Sequence, residues 1–354
     1  MEAKLTLIPE WEPQDLVLIT WPHAESDWAD MLDEVEACYR EMARAILRFE
    51  DLLILAHDEN YVKQIFEGEH FEHRLRILEM PSNDTWCRDY APLAFRVSSD
   101  EGTFKAIADF TFNGWGMKFA ANKDNLISRC LYLSRVFADD VSMMNRLMCV
   151  LEGGGVESDG QGTILSTYGC IYEPNRNAGF DEEELSGLLA EVLGAERLIM
   201  LRNGELEGDD TDGHIDTLAR FVTPDTIAYV KCLDPRDGHY HALERMEQEL
   251  LALRTTSGEP YKLIPLPLPK AIYDEDGHRL PATYANFLFV NGGLLVPTYG
   301  QDYDNEVLKA LGEALPDRQI VGVDCQALIR QHGSLHCATM QIPEGFINQN
   351  KWEL

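Results

Sequence analysis

The sequence predicts an α/β protein in which short buried strands alternate with amphipathic helices along the whole chain. Three observations point there. Short aliphatic and β-branched runs recur from residue 16 to residue 296. Segments with an apolar stripe at helical period lie between them. No low-complexity linker divides the 354 residues, so one domain spanning residues 1–354 is expected rather than two.

The elements follow in order. Residues 16–20 and 52–55 read as buried strands, and the helix between them carries Leu32, Val35, Tyr39, Met42, Ile46 and Phe49 on one face. A further helix lies near Asn125. Asp181-Glu182-Glu183-Glu184 opens another, because acidic side chains suit the positive end of a helix. Strands follow at 198–201 and 226–230, then a helix with Leu243, Met246, Leu250 and Leu253. Pro265-Leu266-Pro267-Leu268-Pro269 is too short and too apolar for a flexible hinge. Strands at 286–290 and 294–296 precede a last helix with Val307, Leu308, Leu311 and Leu315. Helix starts near Glu182, His241 and Asp304 recur about every 60 residues. Those near Met31 and Asn125 extend the series to five units if the stretch between them holds an insertion.

Charge narrows the partners. With 30 Lys+Arg against 61 Asp+Glu, the formal net charge is −31. Such a surface repels phosphate backbones and anionic lipid, so neither nucleic acid nor membrane is expected as a partner. It attracts a cation, although acidity also serves solubility. No apolar run approaches the roughly 20 residues that span a bilayer. The segment from Met1 to Pro9 has one cation and no long apolar core, unlike a signal peptide. Eight cysteines are scattered without a C-x-x-C, which argues against a zinc knuckle or redox dithiol and for a reducing cytoplasm.

Four polar clusters could carry chemistry, each at the end of a strand-like run. In Gly208-Asp209-Asp210-Thr211-Asp212-Gly213-His214-Ile215-Asp216, an extended chain would turn His214 and Asp216 to one face. They could be a base with its partner or two metal ligands; a turn of capping aspartates is the alternative. An EF-hand is excluded by spacing. In His332-Gly333-Ser334-Leu335-His336-Cys337, the cysteine follows a loop-like approach, as an exposed thiol would, and the other seven read as small core residues. His336, adjacent along an extended chain, should point away from Cys337. Glu152 precedes three glycines but lacks the lysine of a phosphate loop, so the glycines admit a ligand or turn the chain. Asp89 follows Trp86 and Arg88; an ion pair with Arg88 is its plainer reading, and Trp86 is core or a pocket wall.

Together a thiol, an imidazole and three carboxylates make a site with excess negative charge. A guanidinium fits it, being flat, permanently charged and able to offer paired N–H groups to carboxylates. Its carbon is a poor electrophile, so orientation and electrostatics must help a thiolate reach it.

At this point the motifs resemble the agmatine deiminase and bacterial (Porphyromonas-type) peptidylarginine deiminase family, within the guanidino-group-modifying, or pentein, superfamily. The matching pieces are Pro9-Glu10-Trp11-Glu12-Pro13, Trp21-Pro22, Trp86-x-Arg88-Asp89-x-x-Pro92 and Glu152-Gly153-Gly154. They continue with Asp210-Thr211-Asp212-Gly213-His214-x-Asp216, Asn286-Phe287 and Leu335-His336-Cys337-x-Thr339, and so cover essentially the whole chain. The resemblance implies a five-bladed α/β propeller of ββαβ units with pseudo-fivefold symmetry. It implies Cys337 as nucleophile through a thiouronium, and His214 as acid then base, oriented by Glu152. Asp89 and Asp216 would hold the guanidinium, with Trp86, Asn286 and Asp210 as further pocket residues. No metal or organic cofactor is implied, and homo-oligomerisation is left open.

Two departures from the family pattern stand beside the site: Ala91 where glycine is common, and His332-Gly333-Ser334 before the nucleophile. An acidic loop at Glu207, Asp209 and Asp210 suits the distal amine of agmatine, giving N-carbamoylputrescine on the way to putrescine. Peptidyl arginine is the second substrate. Readings from other classes are a metal-dependent amidohydrolase built on His214 and Asp216, and a binder of polyamines or guanidines without turnover.

Overall fold

The computed structural model describes residues 3–349; the N-terminal reading thus begins on Met1 and Glu2, outside the described residues. The fold is mixed α/β, and its described strands form five sheets. In each, an antiparallel pair is followed by helical chain and a parallel strand. Ala219–Thr223 pairs with Thr226–Lys231, then the helix Tyr240–Ala252 leads to Lys262–Pro267. Leu288–Val290 pairs with Gly293–Thr298, then Tyr303–Ala314 leads to Gln319–Asp324. Glu157–Ser158 and Thr163–Thr167 are followed by Glu182–Leu193 and Arg197–Leu201. Leu93–Ser99 and Gly102–Thr111 lead through Ile127–Leu133 to Val141–Val150, with Lys4–Leu7 added at the edge. The fifth sheet joins the two ends of the chain. Its C-terminal strand Thr339–Pro343 pairs with Gln14–Thr20, and Leu32–Ile46 then leads to Asp51–Ala56.

Local chemistry accounts for the helix positions. Glu182–Leu193 starts at a capping box, with the Asp181 carboxylate accepting from the Glu183 and Glu184 N–H groups while Glu184 reaches back. It stops at Gly194, whose φ of 67° and contact with the Leu5 carbonyl leave no room for a side chain. Leu32–Ile46 buries Val35, Tyr39, Met42 and Ile46, as its stripe predicts. Phe49, Leu253 and Leu315 each fall just beyond their helices, because apolar packing continues past the last helical hydrogen bond. The insertion in the first unit is the helix Glu59–Ile65 and the edge strand Leu75–Glu79. The proline-rich segment is an edge strand, where a missing N–H costs no ladder bond.

One strand expectation is corrected in a way that matters. Asn286 and Phe287 lie outside the strand, which begins at Leu288. That puts Asn286 in the segment just before the first strand of its hairpin. Asp89 stands in the same place before Leu93, Glu152 before Glu157, His214 and Asp216 before Ala219, and Cys337 before Thr339. Each sheet thus supplies chemistry from one equivalent position.

Candidate active site

Three tight turns carry most of the polar groups: Cys87–Asp89, Gly153–Gly155 and Ile215–Thr217. The last is a correction, since an extended chain does not aim His214 and Asp216 together. His214 is extended and the 3₁₀ turn after it brings Asp216 around. The convergence is measured by Gly154. A Cβ built there would lie 2.7 Å from His214 Nδ1 and 2.9 Å from both Asp216 Oδ2 and Asp89 Oδ1. All three groups therefore pack against Gly154 so closely that only a glycine fits there.

Each is held from behind. Asp89 Oδ1 accepts from the Gly154 N–H and Oδ2 from Trp115 Nε1, both at 2.9 Å. His214 Nε2 is 2.9 Å from Glu152 Oε2, while Nδ1 has no hydrogen-bond partner and stands 3.6 Å from Asp89 Oδ1. Glu152 is braced by Arg176 Nε at 2.8 Å and 3.0 Å. Cys337 Sγ lies 3.5 Å from Asp216 Oδ2 and 3.2 Å from Asn286 Nδ2. Asn286 Oδ1 in turn accepts the backbone N–H groups of His336 and Cys337 at 2.8 Å and 3.2 Å. His214, Asp216 and Asn286 are fully buried, and Cys337 is 6% exposed.

A cavity enclosing about 450 Å³, its open mouth included, reaches Cys337 and Asp89 from outside. Trp86, Trp115 and Phe119 wall it, and Gly333 lies flat against the Trp86 ring. Asp27, Asp84, Asp209 and Asp210 line it with His332, whose left-handed backbone (φ 66°) is tied by a ring nitrogen 2.7 Å from the Gly208 carbonyl.

Burial and the carboxylates set the proton affinities. Burial, then the charges of Asp216 and Asp89, push the Cys337 thiol well above its usual range. Burial opposes a charge on His214, but Asp89, Cys170 and Glu152 outweigh it and raise the imidazole well above an ordinary histidine. Burial pushes Asp89 up to about 6, with Glu152 and Asp216 adding to it against His214. Burial raises Asp216, yet His336 and the nearby cations bring it below the usual carboxylate range.

Of the five residues read as catalytic in the sequence, Cys337 and Asp89 line the cavity with Trp86 and Asp210. His214 and Asp216 meet Asp89 at Gly154, Glu152 lies behind His214, and Asn286 contacts Cys337. Arg88 does not pair with Asp89; it binds Glu10 at 3.0 Å. The capping alternative holds for Asp209, which accepts from Thr211 and Gly213 within its own loop. Asp212 pairs instead with Lys118 and Arg176, each at 2.7 Å. Sequence reasoning missed Arg176, Trp115 and Cys170. For Trp115 a sequence signal existed, the flanking glycines Gly114 and Gly116, and the structure holds Gly114 to Met117 at positive φ, a costly backbone that functional sites retain.

Two carboxylates and an imidazole brought together beside a thiol, on an open-mouthed cavity, suit a flat amidine-type cation. The class so defined is the hydrolases that act on carbon–nitrogen bonds of linear amidines. The chain belongs to the Porphyromonas-type peptidyl-arginine deiminase family, whose sequence profile matches residues 6–343. Among its relatives, a candidate agmatine deiminase of Lactococcus lactis is 32% identical, with 95% of this chain and 94% of that protein covered. A structure from Porphyromonas gingivalis, solved as a candidate arginine deiminase, is 52% identical with a TM-score of 0.91, over 98% of this chain and all (100%) of that one. A cysteine-to-serine variant of the C. jejuni agmatine deiminase, with substrate bound, is 34% identical with a TM-score of 0.88, over 97% of each chain.

Proposed function

We propose that this enzyme is a cysteine-dependent deiminase of a small guanidine, with agmatine its best substrate and N-carbamoylputrescine and ammonia its products. The observation that carries the reading is the convergence of His214 Nδ1, Asp216 Oδ2 and Asp89 Oδ1 on Gly154, with Cys337 Sγ 3.5 Å from Asp216 Oδ2 and a cavity that reaches Cys337 and Asp89. There the two carboxylates take the guanidinium N–H groups, and the cation offsets the negative charge that keeps Cys337 protonated. As the cation docks, the Cys337 thiol gives its proton to solvent, and the thiolate attacks the central carbon. His214 gives its proton to the departing nitrogen, the C–N bond breaks and ammonia leaves a thiouronium on sulfur. His214, now neutral, takes a proton from water as its oxygen attacks; the C–S bond then breaks to free the carbamoyl product and thiolate. Glu152, fixed by Arg176, holds His214 and supports its charge. The substrate-bound cysteine-to-serine relative supports the nucleophile's part.

Four aspartates at the cavity wall favour a distal ammonium over a carboxylate, and Lys118 is already tied to the Asp210 carbonyl and Asp212. We read the five sheets as propeller blades around this site in a single domain, because each delivers its residue from the same position. The two described clusters with metal-like spacing also favour a metal-free reaction. Arg176 binds Glu152 in one, and Arg220 binds Glu10 and Glu157 in the other, so each already holds a cation.

The test is ammonia release from agmatine, free arginine and a peptidyl arginine, with and without a chelator. Agmatine is expected to give the highest kcat/KM, unchanged by chelation; a preference for peptidyl arginine or loss of turnover with chelator would overturn the respective claim. Acid sensitivity follows as well. Asp89 accepts a guanidinium only as an anion, and it is held at about 6. The value of kcat/KM is therefore expected to fall as pH drops through that region, and to be lost further below it. A profile flat from pH 5 to 9 would refute the coupled titration of Asp89, His214 and Cys337.

A further inference from the structure

His336 adjoins the nucleophile in sequence and takes no part in the reaction above, yet it is buried at the floor of the site. Its ring and the Cys337 sulfur both meet Asp216 Oδ2, the sulfur at 3.5 Å. Nδ1 lies 2.8 Å from Asp216 Oδ2, and Nε2 lies 2.8 Å from Glu10 Oε1 and 3.0 Å from Arg220 Nη2. We propose that His336 is a positioning residue that holds Asp216 as a correctly turned anion for the guanidinium. The inference rests on the reading of Asp216 as a guanidinium anchor.

Nδ1 faces only an acceptor, whereas Nε2 faces both a donor and an acceptor. Arginine can only donate, so Arg220 favours a proton on Nδ1, aimed at Asp216, and Glu10, which can only accept, pulls towards a proton on Nε2. Glu10 has other donors: Arg88 Nη1 and Gln341 Nε2, each at 3.0 Å, and Arg220. Burial, then Arg220 and Arg88, lower the proton affinity of His336, in keeping with a neutral ring. Arg220 cannot drift, since its other nitrogens bind Glu157 and the carbonyls of Ala285 and Phe287. The result is a fixed donor to one oxygen of Asp216, while Oδ1 has no partner and is available to an incoming N–H. The Pro9-Glu10-Trp11-Glu12-Pro13 segment, which the reaction does not use, gains a purpose: Glu10 anchors both arginines behind the imidazole.

The experiment measures binding of agmatine and of methylguanidine by calorimetry from pH 4 to 8, in a Cys337→Ser background. His336→Leu is expected to weaken both on the order of tenfold at neutral pH, the scale of a lost hydrogen bond to a charged group. Its binding should also be lost at a higher pH on acidification, because Asp216 without its donor takes up a proton more readily. His336→Asn, whose amide nitrogen can replace Nδ1, should recover affinity and profile. His336→Gln, which reaches towards Glu10 instead, should not. Parent-like binding by folded His336→Leu, or equal behaviour of the Asn and Gln variants, would overturn the inference. Asp216→Asn tests the anchor reading separately: undiminished methylguanidine binding there would defeat that reading whatever His336 does. Methylguanidine reports on the anchor even if agmatine is not the substrate.

Discussion

Cys337→Ala is expected to lower ammonia release by about four orders of magnitude or more while the substrate still binds. That scale is typical for removal of a covalent nucleophile whose residual rate comes from binding and electrostatics alone. The separation of binding from turnover follows from the geometry. The guanidinium is held by Asp89 and Asp216, and neither depends on sulfur for its position: Asp89 is fixed by Gly154 and Trp115, and Asp216 by His336. Removing the thiol also removes its S–H contact with the Asp216 carboxylate, leaving that charge freer for the substrate. Affinity measured by calorimetry should therefore stay level or rise. A variant that keeps more than a tenth of the parent rate would show that Cys337 is not the attacking group.

Gly154→Ala should be nearly as damaging with no polar group removed. The backbone there is not left-handed, so alanine is not strained by its own torsions. Its methyl carbon, however, would stand 2.7 Å from His214 Nδ1 and 2.9 Å from Asp216 Oδ2 and Asp89 Oδ1, and so would force these groups out of place. Those side chains cannot withdraw cheaply, being bonded to Glu152, His336 and Trp115 behind them. A fall in kcat/KM of about a thousandfold or more is expected, from loss of near-attack geometry. Gly153→Ala makes the contrast. Its methyl would meet the Arg88 carbonyl at 2.2 Å, a clash with backbone rather than with the site, so it should cost folding first. Steady-state kinetics beside thermal melts separate the two. A folded Gly154→Ala enzyme with near-parent kcat/KM would show that turnover does not need His214, Asp216 and Asp89 in these positions.

The ingredients of this site were legible because each cluster is local in sequence. Asp-Thr-Asp-Gly-His-x-Asp, Glu-Gly-Gly-Gly and His-Cys are runs of turn formers with chemical side chains, and the structure brings His214, Asp216, Glu152, His336 and Cys337 from them into one connected set of contacts. Their pairings were not legible. Glu152 and His214 are 62 residues apart, and Glu10 and His336 are 326 apart, so no periodicity or spacing links them. Arg176 gave no signal at all: it lies in a loop with nothing around it to mark a buried arginine. The local premise for His214 and Asp216 also failed, since a 3₁₀ turn rather than a strand brings them together.

By itself the sequence determined the alternation of strands and helices, the capped start of the helix at Glu182 and the acidic charge that favours a cation. These follow from short-range effects, namely apolar period, N–H capping and summed charge. Only the tertiary structure decided which polar groups share a proton and which way each ring faces. His336 and Cys337 are chain neighbours, yet one turns to Glu10 and Arg220 while the other points to the cavity. Burial then sets their proton affinities, because the desolvation and the fixed charges around a group depend on distance in space and not on distance along the chain.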